Sequence, residues 1–138
     1  MNLAQIIEDA LTGGPDEDVF VYRLNGVTMD VEIGIHDFER GQKQRVLVDV
    51  VTVVSAKDWD GQDSIKTVVD YDYLLDAIAK LQDRQFDLQE TLCGEILDAA
   101  VTPDAVLAAA VTTRKTEAYK DADSVGLTRF RRKSIKTD

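Results

Sequence analysis

The chain has 138 residues, 44% of them hydrophobic and 30% charged, which suffices for one domain with a real core and is too short for two ordinary ones. A formal net charge of -10, from 26 acidic against 16 basic residues, argues against a nucleic-acid surface, which needs a basic stripe to displace counterions from phosphates. The single cysteine excludes an internal disulfide, no apolar run approaches the ~20 residues that span a bilayer, and Met1 to Ala10 lacks the basic start and apolar core of a signal peptide, so a cytoplasmic protein is expected.

Leu3, Ile6, Ile7, Ala10 and Leu11 recur at helical spacing, and Gly13-Gly14-Pro15 ends the pattern; a short amphipathic helix is expected within an extension over 1–17. Val19 to Leu24 reads as a strand, Asn25-Gly26 as a turn or bulge, and Val27 to Ile35 as the strand's extended continuation. Asp37 to Gln44 is a polar loop, and Val46 to Val54 is the clearest strand in the chain, so a hairpin is the natural connection. After the polar stretch from Lys57 to Asp63, Asp70 or Asp72 can cap a helix with Leu74, Ile78 and Leu81 on one face. Asp87 can cap a second helix, with Leu88, Leu92 and Ile96 as its inner stripe. Cys93 falls within it as a small buried hydrophobe. Pro103 ends the helical region, Ala105 to Thr113 reads as a third strand and Val125 to Phe130 as a fourth.

The order strand, strand, helix, helix, strand, strand predicts an α+β domain over 18–132: a four-stranded antiparallel sheet with both helices on one face, followed by a tail over 133–138. The basic cluster Arg129 to Lys133 reads as a solvated strand end and tail. A sheet covered on one face leaves its other face and its edges to be covered, and oligomerisation is the economical solution.

Several reactive side chains stand in short phrases, each with an ordinary structural role open to it. Glu39 follows Ile33-Gly34-Ile35-His36-Asp37-Phe38, and a Glu in a polar loop is ordinarily solvated. Tyr71 ends Val68-Val69-Asp70-Tyr71, where a Tyr before a helix usually packs its ring; Tyr73 is its neighbour and rival. Glu90 lies in Asp87-Leu88-Gln89-Glu90, a fit to a capping box in which Glu reaches back to the cap amide. Lys115 ends the third strand, where a lysine is most often solvated. His36 is the only histidine, and one His with one Cys cannot build a catalytic zinc site.

In order and spacing these phrases, with Thr113-Arg114-Lys115 and Asp123-Ser124-Val125-Gly126-Leu127, resemble dihydroneopterin aldolase over roughly Val19 to Arg131. The resemblance implies the tunnelling fold, in which four subunits close their sheets into a barrel and two such rings stack, with sites between subunits. It implies a small dihydropterin substrate and no cofactor; the composition already argues against a metal and against a nucleic-acid or membrane partner. Glu90 is implied as the anchor of the pterin ring, with Gln89 and Val69 beside it, Lys115 as proton donor and acceptor, Glu39 as its companion at the substrate's hydroxylated tail, and Tyr71 as a group reaching over the ring from a neighbouring subunit. Gln89 departs from the apolar residue common before the anchor, and Thr116 from the proline that often follows the lysine. Ala122-Asp123-Ser124-Val125 is also similar to the related dihydroneopterin triphosphate epimerase, so epimerisation is the alternative activity. A catalytically silent pterin-binding protein is the third reading.

Overall fold

The computed structural model describes residues 18–133; the expected N-terminal helix lies outside the described residues, as do tail residues 134–138. Five strands and two helices follow in the order β1 (Val19–Ile33), β2 (Gln44–Ser55), α1 (Asp72–Leu81), β3 (Gln85–Phe86), α2 (Gln89–Ala100), β4 (Val106–Lys115) and β5 (Val125–Arg132). The sheet order is β3-β1-β2-β4-β5. The β1–β2, β2–β4 and β4–β5 pairs are antiparallel, as expected from the sequence.

The expected four-stranded antiparallel sheet is corrected to a mixed five-stranded one, because Gln85–Phe86 runs parallel to Glu32 and Ile33 of β1. Two residues are too few to display a periodicity, and this strand exists because its partner is already there: Gly34 N–H donates to the Phe86 carbonyl at 3.0 Å and the Phe86 ring is buried. β1 ends at Ile33 rather than Ile35, since Gly34 takes a φ of +138° that breaks the extended path.

The bulge expected at Asn25-Gly26 sets the sheet's sidedness. Leu24 pairs with Val50 and Val27 with Val48, so β1 carries one extra residue there and its alternation changes phase. Before the bulge Val19 and Val21 join Val51, Val53, Ala108 and Ala110 on one face; after it Met29, Val31 and Ile33 join Val46, Val48, Val50, Ala109 and Val111 on the other. Gly26 holds the bulge at φ +68°, and its N–H donates to Asp49 Oδ1 at 2.6 Å.

Both helices pack on the second of these faces. Leu74, Ile78 and Leu81 from α1 and Leu92, Cys93, Ile96, Leu97 and Ala100 from α2 complete the main core. Tyr73 ties the helices together by donating its hydroxyl to the Ala100 carbonyl at 2.7 Å, and burial pushes its pKa up to about 12. The helix caps differ from those expected. Tyr71 is the N-cap of α1, with Asp70 Oδ1 accepting from Asp72 N–H at 3.0 Å. Leu88 is the N-cap of α2 and no side chain caps it; Asp87 instead accepts from Gln85 Nε2 at 2.9 Å and pairs with Arg40 at 3.6 Å. No helix among the described residues is long and apolar enough to cross a membrane.

Candidate active site

Three chain segments meet where β1 ends, β4 ends and α2 begins. There they enclose a cleft of about 200 Å³, lined in part by Glu39, Gln89, Glu90 and Lys115.

Glu39 reaches this point because the chain folds back after β1. A 3-10 turn over Asp37–Glu39 returns its carboxylate over Gly34, where a Cβ would overlap it; with φ at +138° as well, the position requires glycine. Glu39 is 9% exposed, unlike the solvated carboxylate that a polar loop ordinarily carries. Its Oε2 accepts from Lys115 Nζ at 2.6 Å and from Gln44 Nε2 at 3.2 Å, and its Oε1 makes a longer contact with His36 N–H at 3.5 Å. Gln44 is itself held by the Ile33 carbonyl at 2.7 Å.

Burial alone would favour the neutral acid. The hydrogen bonds from Lys115 and Gln44, the Lys115 charge and the His36 N–H outweigh it, and the Glu39 pKa is lowered from 4.5. Lys115 is delivered by strand register: it is the last residue of β4, opposite Val46 on one side and Val125 on the other. Its side chain is 13% exposed, and an ammonium with one hydrogen directed to Glu39 keeps two for another acceptor.

Glu90 is the second residue of α2, exposed, and among the described residues no side chain pairs with it. The Asp87 capping box does not form, so the Glu90 carboxylate is free to accept hydrogen bonds in the cleft. Gln89 is turned to internal use: its Nε2 donates to the Thr113 and Val125 carbonyls at 2.9 and 3.0 Å and to the Thr113 hydroxyl at 3.1 Å. Exposed Ile35, Phe38, Leu88 and Tyr119 supply apolar surface to the same cleft, with the His36 and Phe38 rings stacked at 5.4 Å.

Tyr71 and Val69 are not brought into the cleft of their own chain. Tyr71 is 51% exposed and packs its ring 5.7 Å from that of Tyr22, on the other half of β1. Tyr73, its rival by proximity, is committed to the Ala100 carbonyl. Cys93 is fully buried, 3.3 Å from the Thr113 hydroxyl, and burial pushes its thiol pKa up. Sequence reasoning missed the supporting roles of Gly34 and Gln44. The glycine five residues before Glu39 was a visible signal; Gln44, a polar residue at a strand start, offered none. Among the described residues no group of His, Cys, Asp and Glu side chains is arranged to hold a metal ion.

Residues 22–129 match the family model described as FolB, dihydroneopterin aldolase. The dihydroneopterin aldolase of Burkholderia thailendensis, solved bound to guanine, is 33% identical, with 85% of this chain and 93% of that chain covered and a TM-score of 0.75. The Escherichia coli dihydroneopterin aldolase, solved in complex with neopterin, is 16% identical over 81% of this chain and 98% of that one, again with a TM-score of 0.75, a likeness of fold. No curated protein matches the chain. The family match includes the turn that carries Glu39, the strand that ends in Lys115 and the helix that carries Glu90, and with a relative 33% identical it establishes that the chain belongs to the dihydroneopterin aldolase family.

Proposed function

We propose that the cleft binds 7,8-dihydroneopterin and cleaves its side chain by a retro-aldol step, releasing 6-hydroxymethyl-7,8-dihydropterin and glycolaldehyde. The observation that carries this reading is the 2.6 Å Lys115–Glu39 pair, in a cleft shared with the unpaired carboxylate of Glu90. Guanine and neopterin, the ligands of the two similar proteins, share an amino group beside a ring N–H. A carboxylate accepts both in parallel, a planar bidentate match, and Glu90 is the group suited to it. The uncapped first turn of α2 forms the wall beside the ring.

The chemistry uses the substrate's own N5=C6 imine. As the C2' hydroxyl loses its proton, the C1'–C2' bond breaks, glycolaldehyde leaves, and the electron pair moves through C6 to N5, which takes a proton. Return of a proton to C1' and loss of the one on N5 restore the imine. Lys115, held by Glu39 and acting through ordered water, exchanges these protons, a general acid–base role worth about 10²–10⁴-fold in rate. Arg114 beside it could not release a proton.

Tyr71 and Val69 complete the site from a neighbouring subunit, which accounts for their distance from their own cleft. The assembly is the barrel of the tunnelling fold, a tetrameric ring or a stacked octamer. Support comes from β5, which pairs within the described residues only with β4 and leaves a free edge for another copy. Epimerisation at C2' shares the cleavage intermediate and follows if glycolaldehyde recombines before escaping.

Product analysis with 7,8-dihydroneopterin tests the reading. Glycolaldehyde and 6-hydroxymethyl-7,8-dihydropterin in equal amounts are expected. The C2' epimer alone would make the protein an epimerase, and unchanged bound ligand would make it a pterin-binding protein.

A further inference from the structure

Gln89 immediately precedes Glu90, yet its amide nitrogen is engaged with the sheet. The acceptors are two main-chain carbonyls, at Thr113 and Val125, and the Thr113 hydroxyl. Carbonyl oxygens only accept, so the nitrogen rather than the oxygen of the amide must face them. The two carbonyls belong to different strands. Thr113 lies two residues before Lys115 on β4, and Val125 is the β5 residue paired with Lys115. One side chain therefore joins the start of α2 to both strands at the point from which Lys115 projects.

The attachment is rigid on its inner side. Thr113 and Cys93 are fully buried and their side chains meet at 3.3 Å, so the hydroxyl that accepts from Gln89 is enclosed by the core. No side chain caps α2, so the Gln89 amide is the directional side-chain tie at its first turn. An apolar side chain could cover the same strands, but apolar contact is non-directional and does not set an orientation.

We propose that Gln89 is a positioning residue: it holds the first turn of α2 at a fixed place relative to the end of β4, so that a ring bound by Glu90 presents its side chain to Lys115. The proposal rests on the retro-aldol reading above. It concerns the relative placement of two groups, each of which remains present when Gln89 is changed.

The test compares wild type, Gln89→Leu, Thr113→Val and the double variant, reading kcat for glycolaldehyde release alongside the Kd of 6-hydroxymethyl-7,8-dihydropterin. Loss of placement lowers kcat of Gln89→Leu by about ten- to a hundredfold. The Kd stays within about threefold of wild type, because the ring contact is local to Glu90. Thr113→Val, which removes one acceptor of three, lowers kcat by about threefold. The double variant is no slower than Gln89→Leu, since the hydroxyl has already lost its donor. Unchanged kcat in Gln89→Leu overturns the proposal, and equal losses in kcat and affinity overturn it by making Gln89 a direct ligand of the ring. Should Gln89→Leu fail to fold, Thr113→Val decides, and an unchanged kcat there overturns the proposal. A wild-type protein that releases no glycolaldehyde overturns the functional reading and this proposal together; an active wild type with an unimpaired Gln89→Leu variant overturns only the proposal.

Discussion

Glu90 and Lys115 face the same cleft with opposite signs of charge, and their proposed tasks separate cleanly in kinetics. Glu90→Gln turns one of two acceptors into a donor facing ring N–H groups, so pterin affinity falls by about 1–3 kcal/mol, the cost of a mispaired polar contact. Lys115→Ala removes a group needed chiefly in the transition state, and lowers kcat far more than affinity. Calorimetry for affinity and steady-state turnover check both arms; near-normal affinity in Glu90→Gln sinks the anchor role, and equal losses in Lys115→Ala make it a binding residue. The Glu39 carboxyl adds a pH signature. Its folded pKa lies below the ordinary 4.5, so the unfolded state binds its proton first as acid is added. The stability contributed by this shift is present above pH 4.5 and is lost as pH falls through the lowered folded value. Denaturant midpoints of wild type and Glu39→Gln should therefore differ near neutrality and converge in acid, and a gap that stays constant down to acid pH contradicts the assignment.

Among the elements, β1 does the most to organise the molecule. Its bulge transfers apolar side chains from one face of the sheet to the other within a single strand, and Gly34, the residue directly after that strand, lies beneath Glu39. Gly26 has open space where a Cβ would stand, so substitution there isolates backbone strain from steric overlap. Gly26→Ala should cost about 1–2 kcal/mol through its left-handed φ, read as a lowered denaturant midpoint; an unchanged midpoint refutes the strain argument. The Asn25-Gly26 pair announced an interruption, and the alternation on either side told how the strand resumed. The two-residue β3 had no such announcement. It depends on an edge of β1 and a buried Phe86, both supplied by distant parts of the chain. The cap of α2 went astray for a related reason: Asp87 and Glu90 have the spacing of a capping box, but Gln85 and Arg40 engage Asp87 in the folded chain.

For the whole molecule, the separation of Tyr71 from its own cleft makes a quantitative expectation. If Glu90 of one subunit works with Tyr71 of the next, Glu90→Gln and Tyr71→Phe proteins are each nearly inactive. Unfolded and refolded together in equal amounts, they form mixed rings in which about a quarter of interfaces pair a native Glu90 with a native Tyr71, for random assembly of a heterologous ring. Activity should return to that fraction. Mixed oligomers, verified by native mass spectrometry, that stay as inactive as their parents rule out the shared site.

The main elements were determined by the sequence alone, because hydrophobic period and the positions of glycine and proline are local properties, whereas the candidate reactive residues were singled out only by resemblance to a known family. Val46 to Val54 and the helical stripe of Leu74, Ile78 and Leu81 are of this kind. What Glu39 and Gln89 do was decided by tertiary structure. A loop glutamate became a buried partner of a lysine 76 positions away, and a helix-start glutamine became a tie to residues 24 and 36 positions away. Burial and hydrogen-bond partners depend on which strands lie side by side, and that proximity emerges only when the sheet closes and brings distant residues within a few ångströms.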